Sequence, residues 1–415
     1  MYKKLSIIIA VLLLTTTICS CSSSDANDKN ASLKDVLAGD YSFNIGEDDP
    51  LCLAAFNNIA IAEDGYYFTN DTHQMLYYFD KATKKVVPVC NRPECTHDNS
   101  DCNAYVGEIR HYAGLWYYEN KLYVLGYKGG IMGLYTISKD GSTRERLCDL
   151  FETGKNFSIT TTIHRGYVYF SVDRGNDHME VYSKKLDGKD EPELIFEFHG
   201  HNAMADFIRG YKNGVFISYE YYQDENNEDA MYAVLYYNRD NNTISELELE
   251  GYTDQLVVCE DAVIYRTDKE ILKYNLNDKT SSVIYDKEPC GVNYDGKYIY
   301  LDNNVAIFTE TTAQDKEYDV SRRHIVVADT SGNIVDDIKV ETNGLCYFGD
   351  SDYLFIDMNE KYNGTKQKTI EKGDMIKGYW FEEIERLEAF DKSQIGTDKH
   401  EWIVLKEWEP DSIIG

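Results

Sequence analysis

Glu63-Asp64-Gly65-Tyr66-Tyr67-Phe68, a polar turn running into an aromatic β-run, decides how this chain folds, because the pattern returns along the whole body. Its copies are Glu119-Asn120-Lys121-Leu122-Tyr123-Val124, Arg165-Gly166-Tyr167-Val168-Tyr169-Phe170, Asn213-Gly214-Val215-Phe216-Ile217, Glu260-Asp261-Ala262-Val263-Ile264-Tyr265, Asp295-Gly296-Lys297-Tyr298-Ile299-Tyr300 and Ser351-Asp352-Tyr353-Leu354-Phe355-Ile356. Asp-Gly and Asn-Gly are favoured two-residue hairpin turns because both central positions take positive φ. The copies lie about 35 to 60 residues apart, the spacing of propeller blades.

A second signature follows each copy: an apolar strand ends in a polar turn and another strand begins. Leu76-Tyr77-Tyr78-Phe79-Asp80-Lys81, Leu134-Tyr135-Thr136-Ile137-Ser138-Lys139-Asp140-Gly141 and Val181-Tyr182-Ser183-Lys184-Lys185-Leu186-Asp187-Gly188 show it, and four later stretches repeat it around residues 235–240, 272–278, 326–332 and 387–391. Two hairpins per unit make a four-stranded sheet that cannot cover both of its faces, so the sheets must stack, and radial stacking closes a ring. Seven units across residues 57–410 predict an all-β fold, a seven-bladed β-propeller, with six or eight blades as the neighbouring solutions. Either Tyr41-Ser42-Phe43-Asn44-Ile45 or residues 51–56 would supply a strand to close the ring. The Glu-rich stretch 380–390 has helical composition but overlaps the last signature, and it reads as strand or insertion.

Composition agrees with strands. The 415 residues include 35 Tyr but only 6 Pro, and 43% are apolar, enough for a substantial core. Adjacent tyrosines, such as Tyr66/Tyr67, Tyr77/Tyr78, Tyr117/Tyr118 and Tyr236/Tyr237, would point to opposite sheet faces and pack between blades. With 72 acidic and 42 basic residues the net charge is −30, which excludes nucleic acid as the expected partner.

The Leu-Tyr-x-x-Asp, x-Asp-Gly-x and Asp-Gly-x-Tyr-x-Phe elements resemble the repeats of TolB-type propellers. The whole chain is similar to a family of propeller lipoproteins of uncharacterised function from anaerobic Firmicutes, in which a segment like residues 90–104 follows the first blade. That resemblance implies architecture rather than activity.

The N-terminus reads as an address. Lys3 and Lys4 precede an apolar run at residues 5–14 that is too short to span a bilayer. Ile18-Cys19-Ser20-Cys21 then resembles a bacterial lipobox with Cys21 as the lipidated residue. Residues 1–20 are thus expected to be a lipoprotein signal peptide, residues 21–40 the lipidated cysteine with a flexible polar tether, and residues 41–415 the propeller, held on the outer face of the bacterial cell membrane.

Cys90-Asn91-Arg92-Pro93-Glu94-Cys95-Thr96-His97-Asp98-Asn99-Ser100-Asp101-Cys102 has the form C-x4-C-x-H-x4-C. Cys90, Cys95, His97 and Cys102 are a Cys₃His set fit to close a tetrahedral structural zinc site. A disulfide between two of the cysteines, or three free thiols, are the competing readings; export favours the disulfide and an anaerobic habitat weakens it. Cys52, Cys148, Cys259, Cys290 and Cys346 are expected to be buried packing residues.

No nucleophile elbow, zincin helix, P-loop or EF-hand is present. His199-Gly200-His201 and the acidic run at residues 224–229 read as loops, and no third metal ligand stands beside the histidines in sequence. The leading expectation is a lipid-anchored binding or scaffold protein for a glycan, peptide or envelope protein. The alternative is an extracytoplasmic glycan hydrolase or lyase whose residues converge on the propeller channel, marked by clustered carboxylates and an acid of raised pKa. An envelope-assembly accessory with an exposed apolar edge is the third reading.

Overall fold

The structure is a computed structural model. It describes Leu37 and residues 58–69, 74–107, 114–153, 159–173, 177–187, 189–223, 229–287, 291–305, 322–341, 346–361, 368–370, 378–380 and 383–408. The expected signal peptide, Cys21, almost all of the expected tether, both proposed closing strands, Cys52, Cys290 and most of the acidic run lie outside the described residues.

Seven four-stranded antiparallel sheets follow one another along the chain, spanning residues 59–88, 115–152, 161–199, 201–247, 252–285, 291–341 and 346–408. Six are simple meanders. The seventh admits a small inserted hairpin, Lys368–Ile370 with Gly378–Trp380, between its second and third strands. First strands of neighbouring blades touch between blades one and two, three and four, and five and six, which sets the first strands toward the axis and the fourth strands at the rim.

The core is divided among the blade interfaces. Among the described residues seven apolar clusters occur, and each joins one blade to the next: Tyr211 and Phe216 with Tyr252 and Tyr265, for example, or Leu125 and Leu134 with Val168 and Phe170. An open stack of seven sheets has six interfaces. The seventh cluster combines Ile59, Tyr66, Phe68 and Phe79 of the first blade with Tyr353, Phe355, Leu387 and Trp408 of the last, and so closes the ring. Among the described residues each blade takes its four strands from consecutive sequence, and closure rests on this packing.

Adjacent tyrosines do diverge. Tyr66 enters the cluster between blades seven and one while Tyr67 enters that between one and two; Tyr236 and Tyr237 divide likewise between their two interfaces. The period of two along a strand therefore places one ring in each interface.

Both sequence signatures fall where a blade needs them. The first is the turn from first to second strand, the second is the third strand with its outgoing turn. Residues 383–390 belong to a third strand, Glu383–Asp391, not to a helix. The turn chemistry differs from expectation in one respect. Gly65 and Gly214 do not sit at positive φ; they begin second strands, where a Cβ would stand 2.2 Å from the carbonyl oxygen of Phe79 and 1.8 Å from that of Tyr237. Positive φ instead falls on Glu119 and Asn120, on Arg165 and Gly166, and on Lys212 and Glu260.

Candidate metal centre

In the first blade the turns from first to second and from third to fourth strand occupy one face of the ring. Its outgoing segment leaves from the other face, which also carries the approach to the third strand. On that face residues 89–106 fold back against the start of Leu76–Asp80. Leu76 N–H donates to Ala104 O at 2.8 Å, Val106 N–H to Gln74 O at 2.8 Å, and Met75 bridges Tyr105. Between these anchors the chain is a series of turns without regular structure, tightened by Cys95 N–H to Arg92 O and Cys102 N–H to Asn99 O.

This path brings together all four residues of the Cys₃His set. The sulfurs of Cys90, Cys95 and Cys102 and a ring nitrogen of His97 all lie within 4.8 Å of one another. His97 adopts φ of 57°, which turns its imidazole back so that Nδ1 is 3.3 Å from Cys102 Sγ. Arg92 braces the loop: its Nη2 donates to Asp101 O and, at 3.5 Å, to Cys95 Sγ. Ala104 N–H donates to Cys102 Sγ at 3.4 Å.

The thiols are electrostatically unequal. Burial opposes ionisation of Cys90, yet backbone N–H groups of Arg92 and Asn103, the Arg92 side chain and the Cys102 thiol together bring it down to about 6. Burial pushes Cys102 up to about 12, with the Ala104 N–H pulling the other way. Cys102 is buried in the cluster shared by blades one and seven, and Cys90 and Cys95 pack against the same cluster. Cys259 and Cys346 are buried as expected of packing cysteines, and Cys148 is half-buried.

Two further groups were not legible as sites in the sequence. His199 is not beside the channel. It lies on the rim of the third blade, where cross-strand pairing sets His178 opposite it and Glu180 opposite Glu197. The two imidazoles stack at 4.1 Å, and Glu197 Oε2 lies 3.5 Å from His178 Nε2 and 4.0 Å from His199 Nε2. His201 pairs separately with Asp177 at 3.1 Å.

Nearer the axis, Asp206 on His201–Tyr211 accepts a hydrogen bond from Ser218 Oγ at 3.0 Å, and that hydroxyl lies 2.7 Å from the Tyr252 phenol. Burial, then the negative charges of Glu220 and Asp254, push the Asp206 carboxyl up to about 7. Glu220 is raised by the same two influences, burial first and then Asp254. Beside it, a cleft of about 310 Å³ is lined by Asp173, Asp177, Asn202, Met204, Glu220 and Tyr222. These residues come from the ends of second strands and the beginnings of third and first strands, which places the cleft on the face of the outgoing crossings.

No family model matches the sequence, and no curated protein matches it. Solved structures do align with it. A prolyl endopeptidase is 12% identical over 88% of this chain and 51% of its own, with a TM-score of 0.49. Dipeptidyl peptidase 4 of Porphyromonas gingivalis is 12% identical over 92% and 56%, with a TM-score of 0.41. TolB of Acinetobacter baumannii is 11% identical over 83% and 79%, with a TM-score of 0.35. The chain thus spans about half the length of the prolyl endopeptidase. The class of the protein, a seven-bladed β-propeller, rests on its own sheet order and on its seven interfaces.

Proposed function

We propose that this protein is a lipid-anchored, cell-surface propeller that binds a glycan, a peptide or an envelope partner on the face bearing the blade-to-blade crossings. The observation that carries the reading is the cleft between blades three and four. Three carboxylates, an amide and a tyrosine line it. Carboxylates and amides accept hydrogen bonds from sugar hydroxyls or basic side chains, and a tyrosine offers a flat apolar body for stacking. The lipobox at Ile18 to Cys21 supports the surface location.

The test is a panel of oligosaccharides and basic peptides screened against the wild type, with Glu220→Gln and Asp177→Asn as site variants. Retention that falls at least tenfold in both variants supports the reading; retention indifferent to them sinks it. Location is tested by labelling the full chain with palmitate in a bacterial host, with Cys21→Ser expected to abolish labelling and release protein from the membrane fraction.

A specific observation also favours a second reading, that of a glycan-active hydrolase or lyase. An Asp206 carboxyl that keeps its proton near neutrality beside two other carboxylates is the pairing that general-acid chemistry uses. Turnover of any oligosaccharide in the panel, lost in Asp206→Asn with binding retained, would select this reading over a purely binding role.

A further inference from the structure

We infer that Cys90, Cys95, His97 and Cys102 together hold one zinc ion, and that this ion is the clasp over the seam where the last blade meets the first. Three independent features converge on it. The first is ligand geometry. Zinc–sulfur bonds of about 2.3 Å and zinc–nitrogen bonds of about 2.0–2.1 Å give tetrahedral ligand-to-ligand edges of about 3.6–3.8 Å. Four donors of the right kinds within 4.8 Å, with one edge already at 3.3 Å, need only small side-chain rotations to reach that figure. A disulfide would use two sulfurs only and would not account for the convergence of the third thiol and the imidazole on the same point.

The second feature is the loop itself. From Cys90 to Asn103 there is no Val, Leu, Ile, Met or aromatic side chain apart from His97. A polar, irregular segment of this length has no core of its own, and loops of that kind stay ordered only when something else holds them. His97 also adopts the left-handed conformation, which costs a residue with a Cβ and is repaid when its ring is a ligand. The surroundings supply the supporting shell that a thiolate site requires, with Ala104 N–H on Cys102 Sγ and Arg92 Nη2 on Cys95 Sγ.

The third feature is location. Cys102 and Ala104 are buried in the cluster that also contains Tyr77 and Phe79 of the first blade and Leu405 and Trp408 of the last, with the Tyr77 and Trp408 rings 6.3 Å apart. Among the described residues no exchanged strand ties the two terminal blades together. Zinc fixing this loop therefore holds a plug at the one interface the chain does not bridge by direct continuation from blade to blade.

Among the described residues the rim set of His178, Glu197 and His199 is the other place where donors converge, so the experiment separates the two. The purified full chain is assayed for zinc per protein after dialysis against a weak chelator, and free thiols are counted under denaturing conditions without reductant. Wild type and His199→Ala are expected to retain about one zinc per chain, and Cys95→Ser and His97→Ala less than a tenth of that. Should Cys95→Ser fail to fold, the wild type still decides: titrating its thiols with a mercurial should release zinc in step with cluster modification. Stripping zinc should lower the melting temperature and raise amide exchange at Tyr77 and Trp408. Absence of zinc, with or without two missing thiols, overturns the assignment, as does zinc lost in His199→Ala alone. Zinc whose removal leaves melting and exchange unchanged overturns the clasp.

Discussion

Tyr66 in the first blade donates its phenol O–H to Asp350 Oδ1 in the last at 2.5 Å, across 284 positions of sequence. Lys81 completes the contact, its Nζ lying 2.7 Å from Asp350 Oδ2 and 2.8 Å from Asp352 Oδ2. The Tyr66 ring meanwhile packs edge-on against Phe355 at 4.7 Å. One residue thus combines apolar and charged contributions to ring closure, and burial followed by the Asp350 charge keeps its phenol protonated well above the ordinary tyrosine range.

Tyr66→Phe should therefore cost about 1.5–3 kcal/mol, the worth of a hydrogen bond to a charged group. The lower end is expected, because Asp350 Oδ1 also accepts from the Asp352 N–H at 2.9 Å and is not orphaned. Tyr66→Ala removes the ring as well and should cost about 3–5 kcal/mol. Urea midpoints of the two variants are the measurement. Equal losses would mean that the aromatic packing at this seam contributes nothing.

Gly65 and Gly214 give a second prediction. Neither needs positive φ, so alanine is refused by space alone: its Cβ would meet a third-strand carbonyl at 2.2 Å or 1.8 Å. Each Gly→Ala change should cost about 1–3 kcal/mol through displacement of backbone. Gly129 is the contrast, with φ of 63° and nothing near its Cβ position, so alanine there meets only backbone strain of about 1–2 kcal/mol. The two causes separate by hydrogen exchange. Gly65→Ala should loosen the Tyr66–Phe79 pairing, whereas Gly129→Ala should affect only its own turn.

The blade count was legible in sequence because each blade repeats the same two local events, and the Tyr-rich strands carry their period of two into both interfaces. The role of Gly65 and Gly214 was not, since a glycine that avoids a carbonyl looks identical to one that supplies a turn. The Cys₃His set announced itself by spacing. By contrast, His199 acquires His178 and Glu197 only through strand register, and Asp206 meets Asp254 only because two blades abut. Pairings made across strands or between blades leave no linear motif.

Lys392 is a second place where an interface depends on charge. Its Nζ donates to Asp295 Oδ2, Phe348 O and Asp350 O, each at 2.6 Å, with side chains only 2% and 1% exposed for Lys392 and Asp295. Lys392→Met leaves a buried carboxylate without its counter-charge and should cost about 3–5 kcal/mol. Adding Asp295→Asn should recover part of that loss, because the amide oxygen still accepts from the N–H groups of Lys297 and Tyr298, and the amide NH2, standing in the place of Oδ2, donates to the Tyr300 phenol oxygen. A double variant as unstable as the sum of its singles would show that the two side chains act independently.

Asp206 makes the fold itself sensitive to pH. Its carboxyl is raised from 3.8 to about 7 by burial and by its charged neighbours, so between those values the native state keeps a proton that the unfolded chain has released. Its influence is therefore most favourable below about pH 4 and is withdrawn as pH rises through about 7, the reverse of a salt-bridged carboxylate. Asp206→Asn keeps the shape and the Ser218 contact but cannot ionise. The urea midpoint of the wild type should fall relative to that variant between pH 5 and pH 8, and a difference that stays constant would mean that Asp206 ionises normally. The same titration bears on function: if the carboxyl serves as an acid toward a bound sugar, turnover should hold while the native state keeps that proton and decline as pH rises through about 7. Binding through Tyr222 and Asn202 should persist across the same range.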